Sequence, residues 1–358
     1  MKKIKYFVIL VSISLLMIHC KSDKKKQDFN SITDSYFKEK NKLNPLDATQ
    51  NDQHEYDDQL AFEMTDSYRK SKKAFYEKYL KELKKIDTLQ LSEEEKNSFD
   101  IMKWESEVGL SLLKQNANLT PINQFEGTHL TMGQFASAES AQPFKTEKDY
   151  KNFLKRMDLF SVWIDSAIVY MKKGMAQNVV LPKALTIKVI LQFENMITTN
   201  TEDNLFYSSC KKFPSNFSEE QKNNFSKEYA SIINEKLVPQ FKKMVDFMKK
   251  EYLPASRASS GIGALKGGND LYNVYAKQWT TTTKTPVEIH ELGLKEVATL
   301  NAEMEKVKNE VGFKGTLKDF LNDVRNKKEL KPYTDPKQVL DHFEKIYQTI
   351  KPNVDKLF

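Results

Sequence analysis

The chain has 358 residues, 39% of them hydrophobic, and a formal net charge of +7 at pH 7. Three of the cations, Lys2, Lys3 and Lys5, crowd the N-terminus, only Arg69, Arg156, Arg257 and Arg325 are arginines, and both signs alternate along the rest. Nucleic-acid recognition leans on clustered Arg and basic stripes, so no nucleic-acid partner is expected; two cysteines likewise exclude a disulfide framework.

The three leader lysines precede an apolar run from Tyr6 to Ile18, broken only by Ser12 and Ser14. A membrane-spanning helix needs about 20 such residues, so the run has the length of a secretory leader. It ends at Cys20, and the polar stretch Lys21-Ser22-Asp23-Lys24-Lys25-Lys26 follows. A cysteine at the end of the apolar run, with a solvated stretch behind it, resembles a bacterial lipoprotein signal. Residues 1–20 are then a signal peptide, Cys20 is the lipid attachment site, and residues 21–44 are a polar tether with a short helix near Thr33–Lys40. Lys21 is not the Asp of an inner-membrane retention signal, which points to the outer membrane, with the body facing the periplasm or the surface. With Cys20 acylated, Cys210 is left as an isolated structural thiol.

Beyond residue 44 the chain repeatedly shows helix-start chemistry. Ser92 with Glu95, Ser218 with Gln221 and Thr285 with Glu288 fit the capping box, in which two side chains satisfy orphan amides reciprocally. Pro182 and Pro336 stand where a first helical residue is expected. Helices are predicted over about 57–85, 93–115, 147–175, 183–198, 219–252, 317–326 and 336–350, and Pro239 should kink or split the fifth of these. The clearest runs from Pro286 to Val311. Ile289, Gly293, Val297, Leu300, Met304, Val307 and Val311 form one apolar stripe there, and Gly312 is its natural stop. Gly293 lies within the stripe and would admit a neighbouring helix closely. Only Leu119–Gln124 and Trp279–Lys284 have the look of short strands. The fold class is therefore all-α, a large multi-helix array.

Residues 254–284 stand apart. They hold Gly261, Gly263, Gly267 and Gly268, then Tyr272 and Tyr275, then four consecutive threonines, and read as a long aromatic-bearing connection where function would concentrate. No phosphate-loop pattern accompanies the glycines. Histidines are few: His19, His54, His129, His290 and His342, with no H-E-x-x-H spacing, so no catalytic, cofactor-binding or metal residue is assigned in this chain. His290, off the apolar stripe in the first turn of its helix, is available to a cleft.

Several blocks resemble the bacterial domain-of-unknown-function family 885. They are Asn44-Pro45-Leu46-Asp47-Ala48-Thr49; Pro143 to Tyr150 with Phe153-Leu154-Lys155-Arg156; Gly174-Met175 through Pro182-Lys183; and Gly267 to Tyr272, Glu288 to Leu294 and Gly312 to Thr316. The resemblance covers residues 45–358. It implies an exported helical protein similar in architecture to zinc peptidases of the gluzincin type, with a peptide as substrate. It also implies that the family's histidine–glutamate motif, ending in Pro-Gly-His-His, would fall after Phe358. On that reading the chain is a truncated, inactive front half, without the zinc expected of full-length relatives. Gly267, Tyr272, His290 and Glu291 would line the substrate cleft, acting in positioning and not in chemistry. The alternative is a non-catalytic helical lipoprotein that binds a partner or ligand at the cell envelope.

Overall fold

The computed structural model describes residues 29–354 together with 356 and 357. The leader, Cys20 and the first part of the expected tether lie outside the described residues. Among the described residues there are helices and no strands, as the all-α reading requires. No helix among them is long and apolar enough to cross a membrane. The chain divides into two compact units, one ending at Thr283 and the other beginning at Lys284.

The first unit runs through α1 (29–43), α2 (Pro45–Gln50), α3 (Asp66–Leu83), α4 (Glu93–Leu113), α5 (Thr128–Ala136), α6 (Glu147–Ala176) and α7 (Lys183–Glu194). It continues through α8 (Glu219–Ile232), α9 (Val238–Phe247), the short α10 (Leu253–Ala255) and α11 (Gly268–Thr280). Its axis is α6. Tyr150, Phe153, Met157, Phe160, Ile164, Ala167 and Met171 recur every three or four residues, and all are buried. They pack against Val189 and Phe193 of α7, Tyr229 of α8 and Phe241 of α9 in one continuous core. A smaller core joins Phe29 and Tyr36 of α1 to Phe75, Tyr79 and Leu83 of α3 and Met102 of α4.

That second core corrects the expected tether. From residue 29 the segment is a docked helix, because Phe29, Ile32, Tyr36 and Leu43 supply an apolar stripe inside an otherwise polar run. Pro239 has the expected local effect in a softer form. The backbone stays helical from α8 into α9, and a π-helical turn at Ile233–Leu237 widens it just before Pro239, which has no N–H to give to the helix ladder. The three expected capping boxes all form, and Thr146 with Asp149 and Thr316 with Asp319 add two more. Pro182 is the residue before the first turn of α7, not its first residue. Both expected strands are absent: Leu119 closes a 3-10 turn, and Trp279 ends a helix.

Arg156 locks the start of the unit onto α6. It is fully buried, and its guanidinium donates to the carbonyls of Gln59, Pro45 and Tyr56 at 3.0 Å, to Thr49 Oγ1 at 2.8 Å and to Gln142 Oε1 at 2.6 Å. Asp57, also buried, lies 3.9 Å away. Burial pulls the guanidinium down to about 10, against the opposing pull of Asp57 and Asp58. Five hydrogen bonds and a buried carboxylate keep it charged, and the α2 region is held in register as a result.

The second unit contains α12 (Pro286–Glu310), α13 (Leu317–Asn326) and α14 (Pro336–Val354). Helix α12 ends where expected, at Gly312 with φ 73°. Its stripe is present but uncovered: Val297, Leu300, Val307 and Val311 are all exposed. A methyl group placed on Gly293 would meet nothing within 4 Å, so the close neighbour expected there is missing among the described residues. Lys308 is the one buried side chain in these helices, donating to the Gly315 carbonyl at 3.0 Å and pairing with Glu305 at 2.6 Å.

Candidate functional site

A cleft opens in the first unit between α3, α4 and α11. Its main chamber is about 1170 Å³, and a side chamber of about 580 Å³ shares Asn44, Asp47, Glu63, Arg69, Asn123 and Glu126 with it. Helical spacing explains the walls. Tyr68, Lys72 and Tyr76 lie four residues apart on α3, Trp104, Val108 and Leu112 repeat the interval on α4, and Tyr272, Tyr275 and Trp279 share one face of α11. Glu63 comes from the turn before α3, and Asn44 from the start of α2 that Arg156 anchors.

Helix α11 corrects the reading of residues 254–284 as one long loop. Gly267, at φ 74°, is the left-handed residue before its first turn, and Thr281, at φ 53°, is the left-handed residue after its last. The segment is pinned to the unit on its near side. The Lys183 amide donates to the Arg257 carbonyl at 2.8 Å, the Arg257 amide donates to Leu181 at 3.2 Å, and the Arg257 guanidinium reaches the carbonyls of Val180, Ser259 and Gly261. Lys277 lies 4.6 Å over the Trp104 ring and ties α11 to α4.

Two charged groups stand at the floor. Glu63 is open to the cavity yet ringed by protein, and accepts from Trp163 Nε1 at 3.2 Å and Thr128 Oγ1 at 3.3 Å. Burial raises its pKa, against hydrogen bonds from the backbone, Trp163 and Thr128. Lys72 is half-buried and donates to Asn44 Oδ1 at 3.1 Å and to the Tyr68 hydroxyl at 3.3 Å, while that hydroxyl donates to the same Asn44 oxygen at 3.1 Å. Burial lowers the lysine's pKa, and Glu63, Asp47 and Glu105 oppose that shift. Beside them Lys40 and Glu105 make a 2.7 Å ion pair. No ion pair within 4 Å joins Glu63 to Lys72.

Of the residues singled out in the sequence, Tyr272 stands on the cleft wall and Gly267 precedes its helix. His290 and Glu291 are on α12 in the second unit, both exposed, and are not among the residues lining the cleft. Glu63 and Lys72 went unread. In the sequence only the spacing Tyr68, Lys72, Tyr76 sets this lysine apart from the many others. Cys210 packs partly buried against the main core with its thiol pushed up to about 12, the state of an unreactive structural cysteine. Among the described residues no group of three His, Cys, Asp or Glu side chains is disposed to hold a metal ion.

The family model for bacterial proteins of unknown function (DUF885) matches residues 45–358. The chain belongs to this family. No curated protein matches the chain. Among solved structures, the DUF885 chain is similar to a protein from Colwellia psychrerythraea described as a candidate lipoprotein, with a TM-score of 0.69 and 19% identity over 93% of this chain. It spans only 58% of that protein's length. At that identity the likeness shows the fold alone.

Proposed function

We propose that this chain holds a peptide-like ligand in the cleft of its first unit, as the substrate-positioning part of an exported, lipid-anchored protein of the cell envelope. The observation that carries the reading is the 1170 Å³ chamber with aromatic walls and a charged floor. A chamber of that size, mostly apolar with a few placed polar groups, is the usual form of a small-ligand site. The peptidase-like character of the whole protein comes from the family resemblance, and this chain is proposed to hold substrate, not to cut it. Tyr272 would be a wall contact, and Gly267, His290 and Glu291 remain candidates for positioning in the whole protein. The leader ending at Cys20 and the candidate-lipoprotein description of the Colwellia psychrerythraea protein support the envelope location.

A second reading, a helical lipoprotein that docks a protein partner, is favoured by the uncovered apolar faces of α12 and α14. Titration with short peptides separates the two. Trp104 and Trp279 line the main chamber, and the buried Trp163 lines the side chamber and donates to Glu63, so peptide binding should shift the tryptophan fluorescence. If no peptide produces a fluorescence change or heat of binding, the peptide-holding reading fails. Mass spectrometry of the mature N-terminus tests the anchor: diacylated or triacylated Cys20 is expected, and an unmodified N-terminus elsewhere would contradict it.

A further inference from the structure

Granting the peptide-holding reading, we infer that the cleft recognises a short peptide by both free ends, the terminal ammonium at Glu63 and the terminal carboxylate at Lys72. Two opposite charges line one chamber, and neither makes an ion pair within 4 Å with any group among the described residues. Charged side chains this surrounded by protein are usually paired, because desolvation of a lone charge is costly. Here neutral partners fix each one and leave capacity unused. The Glu63 carboxylate accepts from Trp163, Thr128 and the backbone, which leaves part of its roughly four lone-pair sites for a ligand. Lys72 spends two of its three donors on Asn44 and Tyr68 and keeps the third.

The other cations that line the chamber spend part of their donors elsewhere. Lys40 is paired with Glu105, Arg69 donates to the carbonyls of Leu113 and Gln115, and Arg257 is spent on backbone carbonyls. Of the two lysines that line the chamber, Lys72 is then the one without a carboxylate partner, and it takes the incoming carboxylate. Burial pushes both groups toward their neutral forms, and a ligand carrying an ammonium and a carboxylate would restore both charges at once. The aromatic rings of Tyr76, Trp104 and Tyr272 line the same chamber and suit a side chain or peptide plane.

The test is calorimetric titration of the purified chain with alanine peptides from dialanine to tetraalanine, whose charged ends move apart by about 3.3–3.6 Å per residue. One length should bind best, and acetylating its amine or amidating its carboxyl should each weaken binding at least tenfold. In Glu63→Gln, whose amide oxygen still accepts from Trp163 and whose N–H can donate to the Thr128 hydroxyl, the free and acetylated forms should bind alike. In Lys72→Met the free and amidated forms should. The comparison of free with blocked peptides on the unaltered chain stands even if a variant misfolds. If fully blocked peptides bind as well as free ones, the two-ended rule is wrong while the peptide cleft survives. If no form binds, both fail. Preferences that persist unchanged in folded variants would move the recognition to other residues and overturn the assignment.

Discussion

The two units are built from equally well-capped helices, and they differ in what those helices bury. In the first, α6 and α9 place Phe160, Trp163, Phe241 and Met244 in a core with almost no exposure. In the second, Phe343 of α14 is 66% exposed and Leu300 of α12 is 54% exposed, although their sequences are as plainly amphipathic. Amphipathic spacing makes a helix able to pack; it does not supply the surface that packs against it. The cleft sits on the side of this contrast where a core exists to hold polar groups in fixed places.

Core truncations should separate the units most sharply. Phe160→Ala is expected to cost about 3–5 kcal/mol, and Phe343→Ala to stay within about 0.5 kcal/mol, by urea unfolding. Arg156→Met belongs with the large effects, at about 3–5 kcal/mol, since it strands the carbonyls of Pro45, Tyr56 and Gln59 and the buried Asp57. All three tryptophans are in the first unit, so fluorescence reads that unit while far-ultraviolet circular dichroism reads both. The two transitions should not coincide. Coincident curves would erase the contrast.

Acid should weaken the first unit next. His129 is fully buried, stacked on Phe193 at 5.3 Å, with Nε2 facing Gln192 Oε1 at 3.2 Å. Burial pulls its pKa down from 6.5 to about 4, against the Gln192 hydrogen bond. Between those two pH values the unfolded chain binds a proton that the folded chain refuses, so stability falls as pH drops from 6.5 to 4, by on the order of 3 kcal/mol in all. Above pH 6.5 both states are neutral and this contribution is flat. His129→Phe should remove that slope from the fluorescence-detected stability, and a slope that survives the substitution would place the titrating group elsewhere.

Two glycines give the smallest and most paired contrast. A methyl group on Gly109 of α4 would overlap the side chain of Tyr76, a cleft-lining residue, so Gly109→Ala must displace that side chain, at about 1–3 kcal/mol and with altered ligand binding. On α12, Gly293 has open space around it, and Gly293→Ala should stabilise its helix by about 0.5–1 kcal/mol. Thermal unfolding should therefore move in opposite directions for the same chemical change.

Local signals in the sequence were readable where one segment carries the whole message. The capping boxes at Ser92, Ser218 and Thr285 formed because both partners lie within one turn. The α12 stripe and its glycine stop were equally local, yet whether that stripe would be covered was not written in it. Helix α11 was hidden by its glycines and threonines, which cap it at Gly267 and Thr281 and do not interrupt it. Helix α1 was legible only as the short helix near Thr33–Lys40, because the residues of its packed stripe, Phe29, Ile32, Tyr36 and Leu43, sit far apart in a lysine-rich stretch. The cleft floor was out of reach for another reason: Glu63, Lys72, Asn44 and Trp163 come from separate segments, and only folding around Arg156 and α6 brings them to one cavity. Lys72 looks like any other surface lysine until Tyr68 and Asn44 are placed beside it.

Hydrogen exchange with mass spectrometry, with and without a saturating alanine peptide, tests the central claim most directly. Amides of α6 and α9 should exchange only through global unfolding and those of α12 and α14 through local opening, and added peptide should slow exchange in α3, α4 and α11. Equal protection in both units, or a peptide effect confined to α12–α14, would contradict the account.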